Sequence, residues 1–364
     1  MKGLGVALAL ALVCAIAAKP GVAPSARAVD RARALDAYAA MQQYLYTPAT
    51  HSYAGAFGQK GRAQAWPFSQ ALWATVEVAS MPGMGGDTRE DLLDRIRSLA
   101  AYSHPERGRP SEFAPVYGGS GEVYYDDNLW IANGLLAATG AMHDLSLVRT
   151  AGQIFQLVAD GWDTDETHPC PGGVFWKRVG ANHDRNTVTT ANAALLALGL
   201  YSRGGPSRYL TWAKMAYDWT QHCLGRRDGL VRDHIDLSGR IEPSTWSYNQ
   251  GAMIAAAVRL FRATGARRYL TDATRTADAG IRQFRDPLGS GEPPFFLAIF
   301  YRDLLELGRV APSRDDRAAM QAFADDAWAK ARDPETGLFR FGGRRPTLLD
   351  QAAMVQIYAE LGGS

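Results

Sequence analysis

The chain has 364 residues, of which 47% are hydrophobic and 21% charged, enough apolar matter for a substantial core and an ordinary charge content for a globular protein. Basic residues number 39 against 37 acidic ones, giving a formal charge of +2 with no basic runs, so a nucleic-acid partner is not expected.

Lys2, the apolar stretch over residues 4–13 and the small residues Ala15, Ala17 and Ala18 read as a signal sequence over 1–18, which implies a secreted or cell-surface protein. The stretch is short for a membrane-spanning helix, so no span is expected after cleavage. Cys14 follows Leu12 and Val13, without the small residue that lipoprotein cleavage needs. Residues 19–29 read as an Ala- and Pro-rich linker ahead of one domain over 30–364.

Everything beyond the linker reads as helix and loop. Leu35, Tyr38, Met41 and Leu45 have helical spacing, Pro48 ends that helix, and no sustained two-residue alternation is found. Further starts fall near Pro67, Asp87, Asp126, Asp144, Thr187, Ser207, Ser247, Ala266, Pro293, Ser313 and Thr347, about twelve helices with the one from Asp30. Asp87 with Glu90 resembles a capping box, and Leu147, Ala151, Ile154 and Val158 mark one face of the fifth helix.

The segment from Gly205 through Tyr209, Leu210 and Thr211 to Ala213 recurs from Gly265 through Tyr269, Leu270 and Thr271 to Ala273, each copy after an Ala-rich helix. A helix pair needs neighbouring pairs to bury its apolar face, so the repeat predicts stacked helical hairpins. Six hairpins predict an all-α (α/α)6 toroid, with an open superhelical array as the alternative. Long Gly- and aromatic-rich loops before each Ala-rich helix favour closure around a site, where helix N-termini would converge and favour carboxylates.

Asp126 and Asp127 open one such helix. Adjacent helical side chains diverge by about 100°, which can set their carboxyl groups on the order of 5 to 7 Å apart, straddling a glycosidic bond. One would attack the anomeric carbon while the other protonates the leaving oxygen, their repulsion helping to separate the two pKa values. By themselves the two letters favour the plainer reading of a helix cap. Gly172-Gly173-Val174-Phe175-Trp176, then Arg185-Asn186-Thr187, and Trp246-Ser247-Tyr248-Asn249-Gln250-Gly251 add rings and amides suited to sugar faces and hydroxyls.

At these residues the chain resembles glycoside hydrolase family 76, the endo-acting α-1,6-mannanases with a six-hairpin α/α fold. Tyr124-Tyr125-Asp126-Asp127-Asn128 is similar to the family's paired-aspartate motif, and Tyr248-Asn249-Gln250-Gly251 to its second hallmark. Gly172 to Trp176 is similar to its Gly-Gly-aromatic segment, and Gly229-Leu230-Val231-Arg232-Asp233 to one that supplies a substrate-contacting aspartate. The resemblance implies a retaining endo-α-1,6-mannanase with Asp126 as nucleophile and Asp127 as general acid and base. Substrate contacts are expected from Asn128, Trp130, Trp176, Asn186, Asp233, Tyr248, Asn249, Gln250 and Phe296. Ile131 and Phe175 stand where the family often has Trp, and Pro293-Pro294-Phe295-Phe296 replaces a segment that commonly carries Lys.

The expected partner is an α-mannan polysaccharide or oligosaccharide, the chain acts as a monomer, and the reaction calls for no cofactor. His168 and Cys170, with His222 and Cys223, lack zinc-site spacing, so no metal is expected. In an exported chain Cys170 and Cys223 could instead form one disulfide. His51, His183 and His234 fall in loops where they could touch ligand, though lone histidines are more often satisfied locally. Transglycosylation through the same intermediate, noncatalytic mannan binding in the cell wall, and uronate-directed epimerase or lyase chemistry are the competing functions. The last calls for convergent His, Arg or Lys, whereas the motif-bearing loops are richer in Asp, Asn and aromatics.

Overall fold

The computed structural model describes residues 24–104, 112–178, 183–312 and 316–363. The expected signal sequence and the helix start at Ser313 lie outside them. Among the described residues no helix is long and apolar enough to cross a membrane.

The described residues form twelve long helices: α1 (Ala26–Leu45), α2 (Ala65–Ser80), α3 (Gly86–Ser98), α4 (Tyr125–Met142), α5 (Ser146–Ala159), α6 (Thr187–Tyr201), α7 (Arg208–Cys223), α8 (Ser247–Thr264), α9 (Arg267–Gln283), α10 (Pro294–Gly308), α11 (Asp316–Lys330) and α12 (Leu348–Gly363). A four-residue helical turn, Pro287–Ser290, precedes α10. Apart from the one near Ser313, the sequence places these starts within four residues. α1 begins at Ala26 instead of Asp30, inside the expected linker, because Ser25 Oγ accepts the Ala28 N–H at 3.3 Å and caps it. The expected Asp87–Glu90 capping box does not form. Gly85 is the N-cap and Asp87 lies inside the first turn, where its charge complements the helix dipole.

The even-numbered helices form a closed inner ring: α2 packs on α4, α4 on α6, α6 on α8, α8 on α10, α10 on α12, and α12 back on α2. Each is followed by an outer helix lying against it, and α1 packs on α12, so the two ends of the chain make the sixth hairpin. This is an (α/α)6 toroid. Inner helices are apolar nearly all round, and α6 is buried at every position from Thr187 to Leu200. Outer α9 buries only a stripe, Tyr269, Ala273, Thr276, Ala277, Ala279 and Gly280.

Five strands escape the sequence reading: β1 (Tyr46–Thr47) pairs with β2 (Ser52–Tyr53), while β3 (Asp184–Asn186), β4 (His234–Asp236) and β5 (Ile241–Glu242) form an antiparallel sheet. Strands of two or three residues are too short to show alternation.

One device recurs around the ring. The fourth residue of an inner helix reaches back and pairs with the backbone of the loop before it. Asn128 in α4 accepts the Phe113 N–H and donates to its carbonyl, both at 2.9 Å. Thr190 in α6 accepts from Val174 at 3.0 Å. Gln250 in α8 accepts from Val231 and donates to its carbonyl, both at 2.9 Å, and Gln351 in α12 accepts from Phe339 at 3.0 Å. Each stapled loop residue also forms a bridge with the chain just past an outer helix, at Ser103, Trp162, Gly225 and Arg332. Three of them follow a left-handed glycine, at Gly172, Gly229 and Gly337. Asn128 and Gln250 are therefore fully buried structural amides and not the sugar ligands expected, since their hydrogen-bonding capacity is committed to backbone.

Gln250→Leu should lower the unfolding free energy by about 1–3 kcal/mol, because it orphans a buried N–H and C=O at Val231. Gly251→Ala should also destabilise, by about 1–3 kcal/mol, through overpacking. A Cβ there would lie 2.8 Å from Phe300 Cα on α10. Gly140→Ala meets nothing within 4 Å. It should stabilise α4 by about 0.5–1 kcal/mol. Denaturant midpoints check all three, and a neutral Gln250→Leu would contradict the staple.

Candidate active site

The inner helices run parallel, and their first turns converge on a cavity of about 530 Å³. Of the expected site residues, Asp126, Asp127, Trp130, Trp176, Asn186, Asp233, Tyr248 and Phe296 line it. Asn249 does not. It is fully buried and donates from Nδ2 to Asp233 Oδ1 at 2.9 Å, holding that carboxylate from behind. Within Tyr248-Asn249-Gln250-Gly251, successive residues thus face the cavity, orient Asp233, staple the preceding loop and admit α10.

The staples also place the cavity wall. Two residues beyond Phe113, Val174 and Val231 come Pro115, Trp176 and Asp233, all in the lining. Buried Arg185 fixes the same loops from the rear. Its Nη1 donates to Asp163 Oδ2 at 2.7 Å and to the Cys170 carbonyl at 3.3 Å, and its Nη2 to the Pro169 and Asp236 carbonyls at 3.1 and 3.0 Å. Cys170 and Cys223 are joined in a disulfide, with Cα atoms 6.1 Å apart, which ties the Trp176 loop to α7. Gly172 and Gly173 are left-handed and lie against the Trp219 ring, where a Cβ at Gly173 would sit 2.4 Å from it.

Asp126 and Asp127 occupy the first turn of α4 in unlike surroundings. Asp126 accepts from Trp176 Nε1 at 3.1 Å through Oδ2 and from the Asp127 N–H at 3.0 Å through Oδ1. Burial pushes its carboxyl up to about 6, against these two donors, with the charge of Asp233 adding to the rise. Asp127 is pushed well above the usual carboxylate range by burial and then by the charge of Asp126. Burial and a near neighbour of like charge thus leave Asp126 the more readily ionised of the two.

Several lining residues went unassigned in the sequence: Gln64, Trp66, Tyr124, Asp184, Val188, His234 and Ile299. His234 Nδ1 lies 2.9 Å from Asp233 Oδ2 and its Nε2 lies 4.0 Å from Asp184 Oδ2. The Asp233 hydrogen bond holds the imidazole above its ordinary pKa, with the charges of Asp184 and Glu242 adding. The β-sheet assembles this group, placing Asn186 opposite His234 and His234 opposite Glu242. Strand pairing of that kind has no local sequence signal.

The fold is shared with solved structures. A family 76 mannosidase from Bacteroides thetaiotaomicron superposes with a TM-score of 0.80 at 21% identity, over 92% of this chain and 98% of that one. An inactive variant of a Salegentibacter α-1,6-mannanase, with two adjacent aspartates changed to asparagine and α-1,6-mannotriose bound, superposes at 0.74 and 19% identity, over 92% and 99%. In sequence, the mannan endo-1,6-alpha-mannosidase of Saccharomyces cerevisiae is 25% identical over 220 residues, 56% of this chain and 46% of the yeast protein. The match thus spans less than half of that relative. Residues 29–338 fit the sequence profile of glycosyl hydrolase family 76, and with most of its length so matched the chain belongs to that family.

Proposed function

We propose that this protein is a secreted endo-α-1,6-mannanase that cleaves mannan with retention, using Asp126 as nucleophile and Asp127 as general acid and base. The observation that carries the proposal is the unequal environment of two adjacent carboxyls in one cavity. Asp126 has two N–H donors to stabilise its anion, whereas the Asp127 carboxyl receives none among the described residues. The substrate class is supported by the relatives, which are named for α-1,6-mannan and include a mannotriose complex.

In the first step an Asp126 oxygen attacks the anomeric carbon as the glycosidic bond breaks, and the Asp127 proton passes to the leaving oxygen. A glycosyl ester on Asp126 results. Asp127, now a carboxylate, takes a proton from water as that water attacks the same carbon and releases Asp126. The Trp176 N–H holds Asp126 in place and stabilises its charge when it leaves. Trp130, Trp176, Tyr248 and Phe296 supply apolar faces for the sugar, and Asn186 and Asp233 bond its hydroxyls. The mechanism uses no cofactor. The disulfide accords with an oxidising destination beyond the cytoplasm, reached through a cleaved signal at 1–18 ahead of a single catalytic domain.

Linear α-1,6-mannan should be cut internally, with α-configured reducing ends appearing first by proton NMR. Initial β products would exclude retention. Asp126→Asn should be inactive even on an aryl mannoside with an activated leaving group, while Asp127→Asn should regain turnover on that substrate with azide. Equal rescue of both would overturn the roles. Neither variant should melt below the parent at pH 8, because a folded-state pKa raised above the unfolded value makes ionisation destabilising. With the parent, kcat/KM on an unactivated substrate should fall as pH drops through about 6, where Asp126 takes up its proton, and fall again as Asp127 loses its own at higher pH. Asp127→Asn on the aryl substrate should keep the acid limb and lose the alkaline one.

A further inference from the structure

We propose that Trp246 is the platform of a distal sugar subsite outside the catalytic cavity, binding a further pyranose unit of the chain held at Asp126 and Asp127. The proposal rests on the mannan reading for its ligand and names a binding position that this reading leaves out.

Trp246 is the N-cap residue of α8, and its indole, a donor only, cannot serve the helix's free N–H groups. It keeps 37% of its surface exposed. Trp is highly buried on average, so an indole left half in water at the mouth of a cavity is not explained by packing. Its ring packs against Phe296, a member of the aromatic series that lines the cavity. Tyr248 and Phe296, both in the lining, have ring centroids 4.0 Å apart, and Phe296 lies 5.7 Å from Trp246. The apolar surface is therefore continuous from the catalytic cavity outward across Phe296 to Trp246. A pyranose presents an apolar face of C–H groups to such a ring while its hydroxyls stay in water, so the site needs no buried polar partner. The continuity sets the occupant: a sugar on Trp246 belongs to the polymer already seated on Tyr248 and Phe296.

The subsite predicts a dependence on substrate length. For Trp246→Ala, kcat/KM on linear α-1,6-mannan oligosaccharides should fall about five- to tenfold once the chain is long enough to reach the indole. The loss should be carried by KM, and it should be smaller on the shortest oligosaccharide cleaved. Trp246→Phe should recover part of it. An equal loss at every length, or none at any length, overturns the proposal. Because the side chain is exposed, a thermal melt matching the parent separates loss of a contact from loss of fold. Calorimetric titration of the same length series into Asp126→Asn protein, with and without Trp246→Ala, reads the subsite without turnover. If the unmutated enzyme cuts no mannan while affinity still grows with length and drops with Trp246→Ala, the hydrolytic reading fails and the subsite stands. Affinity independent of Trp246 sinks the subsite whatever the enzyme cuts.

Discussion

The structure depends on the staple between the fourth residue of an inner helix and the loop that leads into it. A loop at the mouth of a toroid lies outside the helices' own hydrogen-bond ladders, and its backbone groups must find partners or be left orphaned in a partly dry place. Asn128, Thr190, Gln250 and Gln351 meet that need from inside the ring, the first three on the turn of helix that also carries cavity residues. Loop and helix start are thereby fixed to each other. The distance from Asp233 to Tyr248 and Asn249 follows from this coupling, while Trp176 is set against Asp126 by the Tyr125 N–H, which donates to the Trp176 carbonyl at 2.9 Å.

Parallel inner helices give the ring a polarity that sorts its charges. Each helix presents roughly half a positive unit at its N-terminus and half a negative unit at its C-terminus. The cavity at the N-terminal rim carries Asp126, Asp127, Asp184 and Asp233. The opposite end holds a second cavity of about 560 Å³ lined by Arg203, Arg259, Arg262 and Arg302 together with Asp303 and Glu306. Arg203 donates there to the Gly199 and Leu136 carbonyls at 3.0 and 2.7 Å, and Glu306 receives both Arg259 and Arg262. Helix ends thus meet part of the guanidinium charge, through Arg203, and Glu306 meets that of Arg259 and Arg262. Trp130 lines both cavities and forms the floor between them.

The ring was legible in the sequence because its signals are local and repeated. Ala-rich inner helices, amphipathic outer ones and the Gly-Tyr-Leu-Thr turns at Gly205 and Gly265 each declare themselves within a short window. The polar residues of the helix starts were harder. Asp127 and Asn128 are neighbours, yet the rotation between them turns one into the cavity and the other back to Phe113. Composition cannot tell these directions apart, since an amide suits a sugar hydroxyl and a backbone carbonyl equally well. The shared pattern of Gly229-Leu230-Val231 and Gly337-Leu338-Phe339 was a visible clue, as both segments end on a residue stapled in the same way. His234 and Asp184 depend on pairing between strands 50 residues apart, beyond the reach of any local pattern.

The closing hairpin has a consequence for how the molecule comes into being. α1 rests on α12, with the Gln351 amide donating to the Ala37 carbonyl at 2.8 Å across 314 residues of chain. Contacts so distant in sequence form only after nearly all of the polypeptide has been made, and their loop-closure entropy delays them further. Five of the six inner helices can therefore be synthesised while the ring still lacks its last member, leaving the apolar flanks of α2 and α10 without α12 between them. Such a chain is an arc before it is a ring. An arc that cannot close until its final helix emerges is kept from premature compaction by its own order of synthesis.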